Sequence, residues 1–430
     1  MAKGFGKAKK SQKNSTKPSS PLKASDCEQI QKQWSEHFEN LDDPRGKQGV
    51  LHPFVSIVMI AILATIGGAK GWEDIEIYGV SHEPWLSSFL NLPFGIPTAD
   101  TYRRLFEKIS PTALEQSFNS WLSSVVADLG AQVIPIDGKT VRGSYDRNGE
   151  QSALHLVSAW ASENRLFLGQ VKVEAKTNEI TAIPSLLELL DISGCIITID
   201  AMGTQTEIAH QIQAQGADYV LALKANHPTL SAQVEQWFKT AQASNFQGIE
   251  SSHDVRVESG HHRREKREVT AVALNQMGGL YKQAQWSGLQ TIVRVVRTRH
   301  LWNKTEKEVM FYLSSLPPDA QRLGKAIRQH WSIENQLHWV LDVTLRCDPA
   351  EVSSAKERAP REGEDACRIR TGNAPENIAL LKRWSINLLN QETSFKKSTR
   401  QKARRASMDS TYLLKVLNAS IPLQSNLSES

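Results

Sequence analysis

Two short stretches of this chain end on an acid in a way that could serve metal-dependent chemistry. Val133-Ile134-Pro135-Ile136-Asp137 is a β-rich run closing on a carboxylate, with Gly138 after it. Cys195-Ile196-Ile197-Thr198-Ile199-Asp200 repeats the pattern, its acid 63 positions further on and Gly203 close behind. The carboxyl ends of neighbouring strands converge on one edge of an α/β sheet, so the two aspartates can meet despite their separation. Close carboxylates repel unless a proton or a cation stands between them. Hard oxygen donors favour Mg²⁺ or Mn²⁺ and leave waters available for reaction. The plainer reading is that each aspartate caps a helix or closes a turn. Both glycines fit either reading, because each lets the chain turn close to the site.

A third acid lies in the run from Arg328 to Trp339. On a helix His330, Glu334 and His338 share one face, with Ile327 and Leu341 anchoring the apolar side. That stripe is also open to a zinc reading or to an ordinary polar face. It lacks the HExxH spacing of metalloproteases, and no other ligands cluster nearby. Basic residues accompany the acids. Lys139 and Arg142 follow the first, Arg328 and His330 precede the third, and Arg263, Arg264, Lys266 and Arg267 stand beside His261 and His262. Arg294, Arg297 and Arg299 extend that last group. Arginine forks suit phosphate, and a solvated charged surface is the competing account. Trp72, Trp331, Trp339 and Trp384 read as core rather than stacking residues.

The surrounding elements must place these groups. Met1 to Ala24 is Lys-, Ser- and Pro-rich with little to bury, which predicts a disordered arm. Helical spacing begins near Asp26 and breaks at Asp42-Asp43-Pro44-Arg45-Gly46. Helices are expected at Phe54–Ala69, Trp72–Tyr78, Thr101–Ile109 and Ala113–Leu129, with Thr98 or Asp100 as a cap. From Val133 the order reads βββαβαβ, which fits a mixed sheet with helices on its faces. Asn226 to Leu316 carries partial alternation and reads as a β-rich insertion. Helical periodicity returns from Ala320 to about Val343 and again over Asn377–Leu389.

The whole composition narrows the class. Hydrophobic residues are 40% and charged residues 23% of 430, enough for a large core and unlike a disordered chain. Lys plus Arg exceed Asp plus Glu by 51 to 46. The excess is concentrated in the first twenty residues, with six lysines, and in Lys396–Arg405, with six basic residues. Cys27, Cys195, Cys347 and Cys367 form no CxxC pair, which argues against a disulfide framework or sulfur-rich zinc. Phe54 to Ala69 is too short to span a membrane comfortably. A cytoplasmic protein without membrane contact is expected.

Further motifs join these residues: Leu41-Asp42-Asp43-Pro44-Arg45, Gly71-Trp72-Glu73-Asp74-Ile75, Ala99-Asp100-Thr101-Tyr102-Arg103-Arg104-Leu105-Phe106, and Ile136-Asp137-Gly138-Lys139-Thr140-Val141-Arg142-Gly143-Ser144. Ile199-Asp200-Ala201-Met202-Gly203-Thr204-Gln205, His330-Trp331-Ser332-Ile333-Glu334-Asn335, His338-Trp339-Val340-Leu341-Asp342-Val343 and Asn373-Ala374-Pro375-Glu376-Asn377 follow in order. Jointly they resemble the DDE-type insertion-sequence transposases, in the H-repeat-associated subfamily, from about Phe38 to Leu417. The resemblance implies an α/β, RNase H-like mixed-sheet catalytic core with an N-terminal helical domain and an inserted β-rich segment. Asp137, Asp200 and Glu334 are then the three catalytic, metal-holding acids. It implies two Mg²⁺ ions, with Mn²⁺ as substitute, acting on double-stranded DNA at terminal inverted repeats and a target. Two ions about 3.5 to 4 Å apart activate the nucleophile and stabilise the departing oxygen. Water nicks and the liberated 3′-hydroxyl joins, without a covalent protein–DNA link. A homo-oligomer, a dimer on DNA, is implied as well. Lys139, Arg142, Arg263, Arg264, Lys266, Arg267, Arg328 and His330 are the candidate DNA contacts.

The expected organisation is an arm over residues 1–24 and a helical domain over 25–130 for DNA-end binding or assembly. The core follows in two parts, 131–225 and 317–390, around the β-rich insertion 226–316. A basic segment and tail fill 391–430. Two departures stand out. Ile327, His330 and Leu341 occupy places where related transposases often carry Tyr, Arg and Lys. An additional segment, roughly Arg346 to Gly363, follows the Leu341-Asp342-Val343 motif and reads as a surface loop. It keeps two other readings open: a catalytically decayed DNA-binding protein, and a related RNase H-like nuclease.

Overall fold

The computed structural model describes residues 36–38, 41–46, 50–125, 130–145, 152–174, 177–260, 263–301, 303–343 and 369–418. The arm over 1–24, His261, His262, Cys27, Cys347, Cys367 and the segment Arg346 to Gly363 lie outside the described residues. After a short helical stretch at residues 36–38, the described residues form α1 (Phe54–Ile66), α2 (Trp72–Ser81), α3 (Glu83–Leu86), α4 (Ala99–Phe106) and α5 (Pro111–Val125). The strands β1 (Val133–Val141), β2 (Leu154–Ala161) and β3 (Leu166–Lys172) follow, then α6 (Glu179–Glu188), β4 (Ile196–Ile199), α7 (Thr206–Ala214) and β5 (Asp218–Leu223). Next come α8 (Pro228–Ala243), β6 (Ser251–Gly260), β7 (Arg263–Ala273), β8 (Thr291–His300) and β9 (Thr305–Ser314). The chain closes with α9 (Ala320–His330), a π-type turn over Glu334–His338, α10 (Trp339–Val343), α11 (Ala374–Gln391), α12 (Thr399–Met408) and α13 (Ser410–Asn418).

The nine strands among the described residues form one sheet in the order β3-β2-β1-β4-β5-β9-β8-β7-β6. The β1, β4 and β5 strands run parallel, and every other neighbouring pair is antiparallel. Parallel neighbours need a covered crossover. Helix α6 lies between β3 and β4 in sequence, and α7 between β4 and β5. The helical region followed by a mixed sheet is the RNase H-like arrangement expected of a DDE transposase. Both faces of β8 are covered along its first half: Ile292, Val293, Val295 and Val296 are buried while the arginines between and after them keep some exposure. Helix α8 lies within the stretch read from the sequence as β-rich; its buried residues Leu230, Val234, Phe238 and Ala241 recur at helical spacing, a signal that reading passed over.

One core joins the N-terminal helices to the sheet. Helix α1 is buried from Ser56 to Ile66, as a core helix rather than a span would be. No helix among the described residues is long and apolar enough to cross a membrane. Helix α11 runs through the centre of the helical region, so even Lys382 and Arg383 are buried. It also closes the β3 edge. The Asn387 side chain accepts from Phe167 N at 2.7 Å and donates to Phe167 O at 2.8 Å, as a neighbouring strand would. Glu115 on α5 accepts from Gln170 N at 3.0 Å further along the same edge.

Two expectations need correction, and one basic run has a partly structural role. Asp137 does not end its strand: pairing with β4 stops at Ile136↔Ile199, but pairing with β2 carries β1 on to Val141. Two of the four tryptophans are not core. Trp72 and Trp384 are 7% and 3% exposed, whereas Trp331 and Trp339 are 49% and 59% exposed, because they flank the π-type turn on its outer side. The basic run Lys396–Arg405 is not uniformly surface, since Lys402 is buried and its Nζ donates to Leu389 O at 2.8 Å and to Glu392 O.

Candidate active site

The first two acids meet through register. Ile136 and Ile199 are the last residues paired between β1 and β4, so Asp137 and Asp200 leave the two parallel strands side by side. Gly138 makes room on the opposite side of β1, where a Cβ would collide with the Glu179 carboxylate and press on His155 Nε2 at 2.9 Å. Gly203 lies as close to Ile199 and Ile183, where any side chain would displace the core. Both glycines therefore serve close approach of backbone to side chain.

Helix α9 crosses the sheet face opposite α6. Its Leu323, Ala326 and Ile327 pack on Val269, Val295, Val220 and Ile196. After His330 the helix tightens at Trp331 and then widens into the π-type turn. Within that turn Glu334 and His338 stay neighbours, as four-residue spacing on a helix makes them: His338 Nδ1 stands 2.9 Å from Glu334 Oε2 and 3.5 Å from Asp137 Oδ2. Insertions of this kind re-aim side chains and recur at functional sites. One ligand atom from each of Asp137, Glu334 and His338 lies within 4.8 Å of the other two. His338 is buried, and its Nε2 has no hydrogen-bond partner among the described residues.

Asp200 stands beside this cluster rather than inside it. It lines the same cavity of about 280 Å³ as Asp137 and Glu334, together with His330, Lys224 and Trp331. Its Oδ1 accepts from Met202 N at 3.0 Å and Gly203 N at 3.3 Å, so it also closes the turn after β4. The turn-closing and cavity-lining readings of this aspartate are thus compatible.

Charge in the cavity is uneven. Burial pushes the Asp137 carboxyl up to about 6; the Glu179 and Glu334 charges add to this, while His338 and the Gly138 amide oppose it. Glu334 is held below its ordinary value, first by its hydrogen bond to His338 and then by the charges of His338 and Lys139 against burial. Burial also lowers His330, opposed by the Asp200 charge and the contact with Thr198. Its Nδ1 lies 3.0 Å from Thr198 Oγ1, so His330 faces β4 and not the Glu334–His338 pair. The single four-residue stripe expected from spacing is split by the turn at Trp331. Two carboxylates and an imidazole at this separation form a donor set that a divalent cation accepts.

The candidate phosphate contacts are dispersed. Lys139 Nζ binds Asp342 Oδ2 at 2.8 Å and is only 11% exposed, beside the cluster. Arg142 is exposed on the turn after β1. Alternation along β7 places Arg264 and Lys266 on one face and Arg267 on the other. Arg267 sits with Arg297 and Arg299 among Glu265 and Glu308, on the face that α9 covers. Arg328 on α9 reaches Glu258 at 2.6 Å. The Arg263 side chain lies outside the described residues. His338 was the residue that the sequence marked by its four-residue offset from Glu334 without assigning it to the site.

Comparison with known proteins agrees with this architecture. Residues 35–122 match the family model described as DDE_Tnp_1-associated, and residues 128–353 match the one described as Transposase DDE domain. The chain is 37% identical over 396 residues to the protein named "Putative protein YbfL" of Escherichia coli (strain K12), covering 90% of this chain and 98% of that one. It is 36% identical over 394 residues to "H repeat-associated putative transposase YhhI" of the same organism, covering 90% and 98%. A shorter match, 38% over 74 residues, is to the protein named "Inactive transposase YbfQ" of that strain, covering 17% of this chain and 88% of that one. With its nine-stranded sheet, its acidic–imidazole cluster and these matches, the chain belongs to the DDE-type, H-repeat-associated transposase family.

Proposed function

We propose that this protein cuts DNA at the terminal inverted repeats of its own insertion sequence and joins the freed end to a target. The observation that carries the reading is that Asp137, Asp200 and Glu334 line one cavity, with Asp137 and Glu334 clustered with the buried His338. Asp137, Asp200 and Glu334 are the groups that would hold two Mg²⁺ or Mn²⁺ ions. When bound, such ions lower the pKa of a coordinated water and neutralise charge building on phosphate oxygens. Asp137, clustered with Glu334 and beside Asp200 by strand register, is the group suited to serve both ions. His338 keeps Glu334 ionised and turned toward Asp137. His330 lines the cavity, and with Lys139, Arg142 and Arg328 it would orient the scissile phosphate, while Arg263, Arg264 and Lys266 would follow flanking duplex. The exposed rings of Trp331 and Trp339 border the Glu334 turn and offer faces for an unpaired base.

The test is cleavage and joining of DNA carrying the element's own ends with Mg²⁺ or Mn²⁺. Asp137→Asn, Asp200→Asn and Glu334→Gln should each retain repeat binding while losing both 3′-hydroxyl nicks and joined product. Metal-dependent cutting that survives all three substitutions overturns the site. A second reading, binding without catalysis, is favoured by the additional segment Arg346 to Gly363. Specific repeat binding with no cutting, unchanged on deleting that segment, would select it.

A further inference from the structure

The two edges of the sheet are treated differently. Side chains of Asn387 and Glu115 satisfy the backbone of β3, whereas β6 pairs only with β7 among the described residues. The β6 strand is ten residues long and mostly exposed from His253 onward. A bare edge of that length is a template for another strand. Its side chains carry a specific pattern: Asp254 and Arg256 flank Val255 symmetrically, and bind each other at 2.9 Å within the strand. Val255 and Val257 point away from α9 and are 55% and 48% exposed. Val309, two strands beyond β7, lies in the same cross-strand row as Val255 and is 44% exposed.

We infer that β6 is an interface with a second copy of this chain, paired antiparallel about Val255. In that register Val255 opposes itself, and each Asp254 opposes Arg256 of the other copy. His253 then meets Val257, Ser252 meets Glu258, and Ser251 meets Ser259, which engages nine of the ten residues. Centring on Arg256 instead would oppose two arginines and set Asp254 against Glu258, which repel. Centring on Val257 pairs only seven residues. Charge complementarity and length thus select one register out of the adjacent three. Valines left exposed in the single chain become neighbours across the junction on the face away from α9.

The symmetry has a consequence for the active sites. Antiparallel pairing of identical strands places the twofold axis perpendicular to the sheet, so each copy keeps its faces on the same sides. The cavities beneath α9 then open on one common face of an eighteen-stranded sheet (twice the nine of each chain). Both could be presented to one DNA molecule.

The experiment is sedimentation velocity on the full chain without DNA at micromolar concentration. The wild type should be a dimer. Arg256→Glu should weaken the dimer about tenfold, because two symmetric attractive pairs become repulsive. Adding Asp254→Lys to that variant should restore the association, since the swapped charges are again complementary. Val255→Cys should give a covalent dimer on mild oxidation beyond that of the wild-type chain, and Val257→Cys should not, being opposite His253. A monomer, a dimer indifferent to Arg256→Glu, or crosslinking favoured at Val257→Cys would each overturn the interface, the first leaving the edge to another protein's strand. None of these readouts depends on cleavage, so failure here is distinguishable from failure of the proposed activity.

Discussion

At the scale of single residues, His338 decides how the acids stand. It is almost fully buried, which fixes the ring, and its Nδ1 reaches both Glu334 and Asp137. A group that orients a ligand while adding positive character lowers that ligand's pKa and readies it for a cation. His338→Ala should therefore weaken Mn²⁺ binding by about 10- to 100-fold, the range typical of such supporting groups. Calorimetric titration with Mn²⁺ alone measures this, and His338→Gln should recover part of the loss by keeping a side-chain amide near Glu334. Unchanged Mn²⁺ affinity in His338→Ala would reduce the residue to packing. Asp200 is governed differently, because two backbone amides already occupy one of its oxygens.

At the scale of elements, the edge strand β3 shows how a polar group is buried at a cost. Glu115 leaves α5 to accept the Gln170 amide, and burial there pushes its carboxyl up to about 7; the Glu376 charge adds to this and Arg383 opposes it. A carboxyl raised in the folded state favours the protonated form on folding. Its stabilising share is complete below the unfolded value of 4.5 and is lost as the pH rises through about 7. Glu115→Gln retains an acceptor for Gln170 N without the charge. The variant should match the wild type near pH 4 and exceed it by roughly 2 to 3 kcal/mol near pH 8. Urea unfolding across that range checks the sign; a wild type gaining on the variant as pH rises would contradict it.

At the scale of the whole molecule, the distribution of arginines separates a structural face from an open one. Arg267 and Arg297 are 13% and 12% exposed and held by Glu265 and Glu308, so they neutralise acids of the protein itself. Arg264 is exposed on the opposite face, where Lys266 pairs with Glu268 in more solvent. If the flanking duplex follows that open face, Arg264→Ala and Lys266→Ala should each reduce the salt dependence of DNA binding by roughly 0.9 in the log–log slope. Arg267→Ala should leave the slope and lower stability. Filter binding over a range of salt concentrations distinguishes the cases; equal slopes in all three variants would move the DNA path elsewhere.

Much of this was local information. Two β-rich runs ending on acids, the βββαβαβ order and the apolar run of α1 are readable because alternation, helical period and turn residues act over a few neighbouring positions. The joint motifs around Asp137, Asp200 and Glu334 pointed to the family, which the matched models bear out. What the tertiary structure decided was register and irregularity. Only the β1–β4 pairing sets Asp137 beside Asp200, and only the break at Trp331 separates His330, held at Thr198, from the Glu334–His338 pair. A helical wheel assumes constant pitch and would have kept all three on one stripe. Likewise the exposure of Trp331 and Trp339, and the division of β7 into a sealed and an open charged face, follow from which sides α9 covers. Coverage depends on residues far along the chain, so local composition alone does not determine it.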